Sequence, residues 1–241
     1  ALLDHFCMGN PDDETELGCL VETTKGMAEA ATFYQAPFVS GKDSFYNFFE
    51  TEDGPISVPV TLVISGLGII DDRKQVVGSS LRHDGSALFV IGKMETELGG
   101  SVAARVSGIT DARVPKCDLE ANLARYENLY NALQKGLVAA AHDVSEGGLI
   151  TAIAEMAFSM KVGVESDTFF SKEQLFAETP GCIVVEVEST EVDDFKALFG
   201  EDAQQIGKTT SAHKKLVIAD QIEEDLTSLK ERWQHGLTPY Y

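Results

Sequence analysis

Basic residues are scarce. The 241-residue chain has 19 Lys and Arg against 39 Asp and Glu, a formal charge of −20. Such a surface repels a phosphodiester backbone and argues against a nucleic-acid-binding role. A small phosphorylated ligand stays compatible, provided a few cations and backbone N–H groups gather locally. Cysteine is scarce too: Cys7, Cys19, Cys117 and Cys182 are scattered, without a CxxC pair. His5, His83, His142, His213 and His235 show no ligand spacing with them, so a zinc site is not expected and a reduced protein is. No apolar run is long enough to span a bilayer and the opening residues do not read as a signal peptide, so no membrane partner is expected, and the expected location is the cytoplasm. Low-complexity segments and short repeats are missing as well.

What is present is a globular composition, 44% apolar and 24% charged, with chain enough for one or two domains. Ala1-Leu2-Leu3 reads as the end of a buried strand, so the chain looks like a piece of something longer. A helix is expected from about Glu14 to Tyr34, with Leu17, Leu20, Met27, Ala28, Ala31 and Phe33 as its buried positions, weakened by Gly18 and Gly26. Pro37 to Ser40 is a short strand, "FETEDGP" an acidic hairpin or loop, and the Val/Ile-rich stretch Ile56 to Ile70 one long strand or two, with Pro59 marking an edge or a break. After the polar turn His83-Asp84-Gly85 strands and helices alternate. They include "ALFVIG", a helix from Leu119 to Gln134, "GLVAAAHD", a helix from Leu149 to Met160 with Leu149, Ile153, Met156, Ala157 and Met160 as its buried stripe, "CIVVEV" and "KLVIAD". The chain closes on a helix through Trp233. This is mixed α/β architecture in two unequal domains, residues 1–81 and 82–241.

Four stretches have the makings of a site. "SGKDS" is not the GxxxxGK[ST] phosphate loop, because the position five before Gly41 is Ala36 and Lys42 is followed by Asp43. It can still work without the pattern: a glycine at a strand end admits a ligand to the backbone, and Lys42, Asp43 and Ser44 add a cation, a carboxylate and a hydroxyl. The alternative is a solvated turn. "AHDVSEGGL" delivers His142 and Asp143 to the end of a strand, where ligands gather in α/β proteins, and Gly147-Gly148 then open a helix. Asp143 would suit a magnesium ion held by substrate phosphates; otherwise it is a turn-former and Ser145 a cap. "ELGGS" offers N–H groups to a phosphate or is simply a tight turn. Asp4, at a strand end before Gly-Asn-Pro, says little alone.

Together these stretches say more. "LLDHFCMGNP", "GMAEAATFYQAPFVSGKDSFYN", "PVTLVISGLGIIDD", "ELGGS" and "AHDVSEGGLITAIAEMAF" resemble, in order and spacing, the C-terminal half of the synthetase subunit in the phosphoribosylformylglycinamidine synthase family, in its small multi-subunit form. The resemblance runs over essentially the whole chain. It implies the aminoimidazole ribonucleotide synthetase-like fold: a partial N-terminal-type domain that pairs its sheet with an equivalent one, then a C-terminal-type α/β domain. It implies an ATP- and magnesium-dependent ligase of purine synthesis that turns formylglycinamide ribonucleotide into the amidine through an iminophosphate, with ammonia from glutamine. The implied partners are the N-terminal half of the same subunit, a glutaminase subunit and a small bridging subunit. The exposed sheet makes a second copy of the chain a further candidate partner.

The resemblance also assigns residues. Asp4 and Gly41 match nucleotide contacts, and Ser44 matches a contact to the ribonucleotide. Lys42 stands where the family often has a magnesium-binding asparagine; a protonated lysine cannot ligate the metal, so a phosphate contact is expected instead. Asp143 matches a metal-binding aspartate. The family's catalytic histidine falls outside this stretch, so no residue here is assigned a catalytic role, and the isolated chain is expected to be inactive. Two other readings are a non-catalytic half holding a structural nucleotide, and another member of the superfamily such as a selenophosphate synthetase. The latter usually carries a reactive Cys or Sec and a glycine-rich loop near its N-terminus, and neither is visible.

Overall fold

In a computed structural model of the chain, which describes residues 1–236 and 238, the backbone divides between Asp71 and Asp72 into two units. Unit 1 runs β1 (Leu2–Cys7), α1 (Glu14–Phe33), β2 (Phe38–Gly41), β3 (Phe48–Thr51), β4 (Gly54–Ser57) and β5 (Thr61–Gly66). Asp13 caps α1, its carboxylate accepting from Thr15 N at 2.9 Å and Glu16 N at 3.0 Å. Glu14 and Glu16 in the first turn suit the positive end of the helix. β1 is the middle of a three-stranded sheet, with β2 parallel on one side and β5 antiparallel on the other. β3 and β4 form a separate hairpin. Pro59 falls between β4 and β5, so the Val/Ile-rich stretch makes two strands.

The expected buried stripe of α1 is not buried. No residue of this 20-residue helix is, and Phe6 and Met8 are the buried apolar side chains of unit 1. One helix, a three-stranded sheet and a hairpin supply too little chain to cover each other's apolar sides.

Unit 2 runs β6 (Ala87–Ile91), α2 (Val102–Ser107), α3 (Leu119–Gln134), β7 (Ala140–Asp143), α4 (Gly148–Ala157), β8 (Gly163–Ser166), α5 (Lys172–Phe176), β9 (Ile183–Val187), α6 (Val192–Phe199), β10 (Ala203–Thr210), β11 (Lys215–Ile218), β12 (Ile222–Asp225) and α7 (Leu226–Gln234). Its seven strands lie in the order β12-β11-β8-β10-β6-β9-β7, antiparallel except for the parallel pair β8/β11. β6 is buried along its whole length, which explains why it reads as an unbroken apolar run rather than an alternating one. Leu88 and Val90 join one core with α4 residues Leu149, Ile153, Met156 and Ala157. Ala87, Phe89 and Ile91 join a second core with Ala132 of α3 and Phe195 and Phe199 of α6. The period of two along one strand thus feeds helices on both faces of the sheet.

Glu186 breaks the apolar pattern of β9 and is fully buried. Its two carboxylate oxygens accept from Arg82 N at 2.9 Å and His83 N at 2.8 Å, fastening the segment that leads into β6. Leu81 is held nearby, its N donating to Met156 O at 2.9 Å. A buried carboxylate is tolerated where charge-assisted bonds replace its water.

Cys182 is buried next to Gly92 and Arg125, and burial pushes its thiol pKa up to about 11. The thiolate is the reactive form. At pH 8 Ellman's reagent is therefore expected to titrate the exposed Cys19 and Cys117 promptly and Cys182 only after denaturant is added. Prompt reaction of Cys182 in the native protein would mean that this core opens.

Candidate functional site

In unit 1 the structure brings Asp4, Gly41, Lys42 and Ser44 together. Asp4 pairs with Gly41 across the parallel ladder of β1 and β2. Lys42 N donates to Asp4 O at 3.0 Å, Ser44 N to Phe6 O at 2.8 Å and Met8 N to Ser44 O at 3.0 Å. The "GKDS" stretch therefore stays zipped along β1 past the end of β2. Lys42 Nζ donates to Ser44 Oγ, so a cation and a hydroxyl sit on the same stretch of strand. Gly41, Lys42 and Asp43 are exposed, whereas Asp4 and Ser44 are partly covered.

Gly41 is a glycine for a specific reason. A Cβ there would stand 2.3 Å from Asp4 Oδ1 and 2.7 Å from both Cγ and Oδ2. The Asp4 carboxylate lies over the Gly41 backbone, in the space any other residue would fill. Beyond Ser44 the chain turns sharply: Tyr46 takes a φ of 58° and Asn47 Nδ2 donates to Ser44 O at 2.7 Å. The charge of Asp12 beside the Tyr46 hydroxyl holds that phenol above its ordinary pKa.

Two polar atoms of unit 1 are buried without a partner, His5 Nε2 and Glu16 Oε2. Oε1 of Glu16 accepts from Ser57 Oγ at 2.8 Å, and both side chains press on Gly9, where a Cβ would meet Ser57 Oγ at 1.7 Å. Sequence reasoning singled out neither Glu16 nor Ser57; their contact depends on a hairpin far along the chain.

Asp143 belongs to unit 2, at the end of β7, with its side chain 74% exposed. Its neighbour His142 approaches Glu155 of α4, Nε2 to Oε2, at 3.1 Å, and the other Glu155 oxygen accepts from Trp233 Nε1 at 3.0 Å. His142 is thus tied into a polar chain linking β7, α4 and α7. Among the described residues no group of three His, Cys, Asp or Glu is arranged to hold a metal ion. A closed protein cage is not what magnesium needs: it is commonly held by one or two carboxylates together with waters and phosphate oxygens. Asp143, an accessible carboxylate at the end of β7, fits that mode of binding, whereas Asp4, expected at a strand end, lies inside β1 and is partly covered.

The glycine turns of unit 2 serve packing. Gly99 N donates to Arg113 O at 2.7 Å, and a Cβ on Gly148 would come within 2.6 Å of the Phe176 carbonyl carbon. Glu178, in the turn "FAETPG", reaches both turns, and sequence reasoning did not find it. A lone carboxylate in a turn has no periodicity to give it away.

Residues 83–219 match the family described as AIR synthase related protein, C-terminal domain. Over 245 aligned residues the chain is 30% identical to the phosphoribosylformylglycinamidine synthase subunit PurL of Lactobacillus helveticus, an alignment covering 98% of this chain and 32% of that protein. The chain therefore spans about a third of the length of this relative. Among solved structures it is similar in fold to T. maritima PurL complexed with FGAR, with a TM-score of 0.67 at 15% identity, covering 95% of this chain and 39% of that one. It is likewise similar to T. maritima PurL complexed with ATP, with a TM-score of 0.63 at 13% identity, covering 94% and 37%. No helix among the described residues is long and apolar enough to cross a membrane.

Proposed function

Because the chain belongs to the AIR synthase-related family, we propose that it is the C-terminal part of a phosphoribosylformylglycinamidine synthase and supplies one wall of an ATP and ribonucleotide site. The observation that carries this reading is the gathering of Asp4, Gly41, Lys42 and Ser44 on neighbouring strands, the residues that the resemblance assigns to nucleotide and substrate. Gly41, at the strand end, leaves room for the Asp4 carboxylate to lie over its backbone. Lys42 provides a positive charge for a phosphate oxygen, and Ser44 donates its hydroxyl to the ribonucleotide. Asp4 contacts the nucleotide, and Asp143 is the carboxylate offered to magnesium, which would offset phosphate charge when bound.

In the proposed reaction the γ-phosphoryl group of ATP passes to the formamide oxygen of formylglycinamide ribonucleotide, releasing ADP. Ammonia from a glutaminase subunit then attacks the iminophosphate carbon and phosphate leaves, giving the amidine. The remainder of the synthetase subunit, the glutaminase and a small bridging subunit are the proposed partners, the cytoplasm is the proposed location, and residues 1–81 and 82–241 are the proposed functional domains.

Mixed with the separately produced remainder of the subunit, and given ribonucleotide, ATP, magnesium and ammonium, the chain is expected to restore ADP release that neither piece gives alone. Turnover by the chain unaided would contradict the part-enzyme reading. An assembled but inert mixture would overturn the assignment. The exposed position of Asp143, outside any group of three possible metal ligands among the described residues, favours a second reading, a half that only holds a structural nucleotide. Titration calorimetry separates the two: tight Mg-ATP binding by the chain alone supports the holder, and binding that appears only on mixing supports the shared site.

A further inference from the structure

Two glycine turns of unit 2, Glu97–Ser101 and Ser145–Gly148, look in sequence like places where backbone N–H groups would meet a phosphate. In the structure one carboxylate already stands there. Oε1 of Glu178 accepts from Val102 N at 2.9 Å and from Gly147 N at 2.9 Å. Other N–H groups of these turns are spent within the protein, Ser101 on Leu98 O at 3.0 Å and Gly148 on Ser145 O at 2.9 Å. α4 has no side-chain cap of its own at Gly147, so the carboxylate also faces the uncapped positive end of a ten-residue helix.

The chain on either side of Glu178 is fixed. Ala177 is fully buried and Thr179 is 4% exposed, with Thr179 Oγ1 accepting from Glu95 N at 3.1 Å. A carboxylate delivered by so firmly held a turn acts at a high effective concentration, which a dissolved anion must outcompete.

We infer that Glu178 is a built-in anion: its carboxylate takes the place a phosphate oxygen would take between the two turns, buckles them together and keeps phosphate off the Val102 and Gly147 N–H groups. The glycines of both turns are then positions of close backbone approach, and the ligand-like feature is internal. This inference does not depend on which reaction the complete protein catalyses.

Amide exchange at Val102 and Gly147 tests it on the full chain, with formate and inorganic phosphate as probes. In Glu178→Ala both amides are expected to exchange on the order of tenfold faster, as a charge-assisted acceptor is lost. Formate should slow them again in the variant and leave the parent unchanged. Glu178→Gln keeps the shape and an accepting oxygen without the charge, and its exchange is expected to fall between the two. If the alanine variant does not fold, the glutamine variant carries the test, and parent-like exchange in it would overturn the inference. So would phosphate slowing these two amides in the parent, or formate slowing amides throughout the variant with no preference for these two.

Discussion

Replacing Gly41 by alanine is expected to weaken Mg-ATP binding by the reassembled protein at least about tenfold and to cost about 1–3 kcal/mol of stability, the range for forcing extra volume into a filled space. The added methyl would stand 2.3 Å from Asp4 Oδ1, closer than any non-bonded contact allows. β1 cannot retreat, because it is hydrogen-bonded on both sides, to β2 and to β5. The carboxylate must therefore swing off the Gly41 backbone, and with it goes the nucleotide contact proposed for Asp4 beside Lys42 and Ser44. A second substitution separates the two consequences. In Gly41→Ala with Asp4→Ala the clash has no partner, so the stability cost should shrink well below the sum of the single changes. Binding should not return, since the carboxylate is gone. Full Mg-ATP affinity in the Gly41→Ala protein would sink the role given to this pair, whatever its stability.

The legible parts of this fold are those that a single periodic pattern decides. The apolar run Ala87–Ile91 is central because both of its faces are covered, and the stripe Leu149, Ile153, Met156 and Ala157 lands in one core as its spacing implies. The same logic misleads for α1, where Leu17, Met27 and their neighbours mark a side able to be buried but leave it open. Periodicity records a capacity for burial and is silent on whether the covering surface belongs to the chain. The site divides in a similar way. A glycine at a strand end and an aspartate on another strand can be read singly, yet their contact depends on the parallel register of β1 and β2. Glu178 was illegible because its partners, Val102 and Gly147, lie 76 and 31 residues away and are backbone N–H groups, which every non-proline residue has.

Limited proteolysis of the chain alone is expected to destroy unit 1 first and leave a resistant fragment beginning near Asp72. Fixing a residue costs about 1.5 kcal/mol in conformational entropy, whereas fully burying an apolar side chain returns about 1.5–3 kcal/mol. Unit 1 has Phe6 and Met8 as its buried apolar side chains, far too few to offset ordering on that scale. The apolar groups able to supply the difference are in solvent: Val39 is 65% exposed, Val63 51% and Leu67 70%. Unit 2 has two cores in which Phe89, Phe195, Leu149 and Met156 are fully covered, so its backbone should resist until global unfolding. Mass spectrometry of a time course gives the order of cleavage, and sedimentation velocity on the same samples tells whether a second copy covers the sheet. Adding the remainder of the subunit should slow cleavage in unit 1 and leave the rate in unit 2 unchanged. Substituting lysine for Val63, on the edge strand β5, should abolish that protection by placing a charge where an apolar cover has to sit. A dilute monomer whose unit 1 resists protease as well as unit 2 would show that this sheet needs no cover, and the shared-site reading would lose its structural motive.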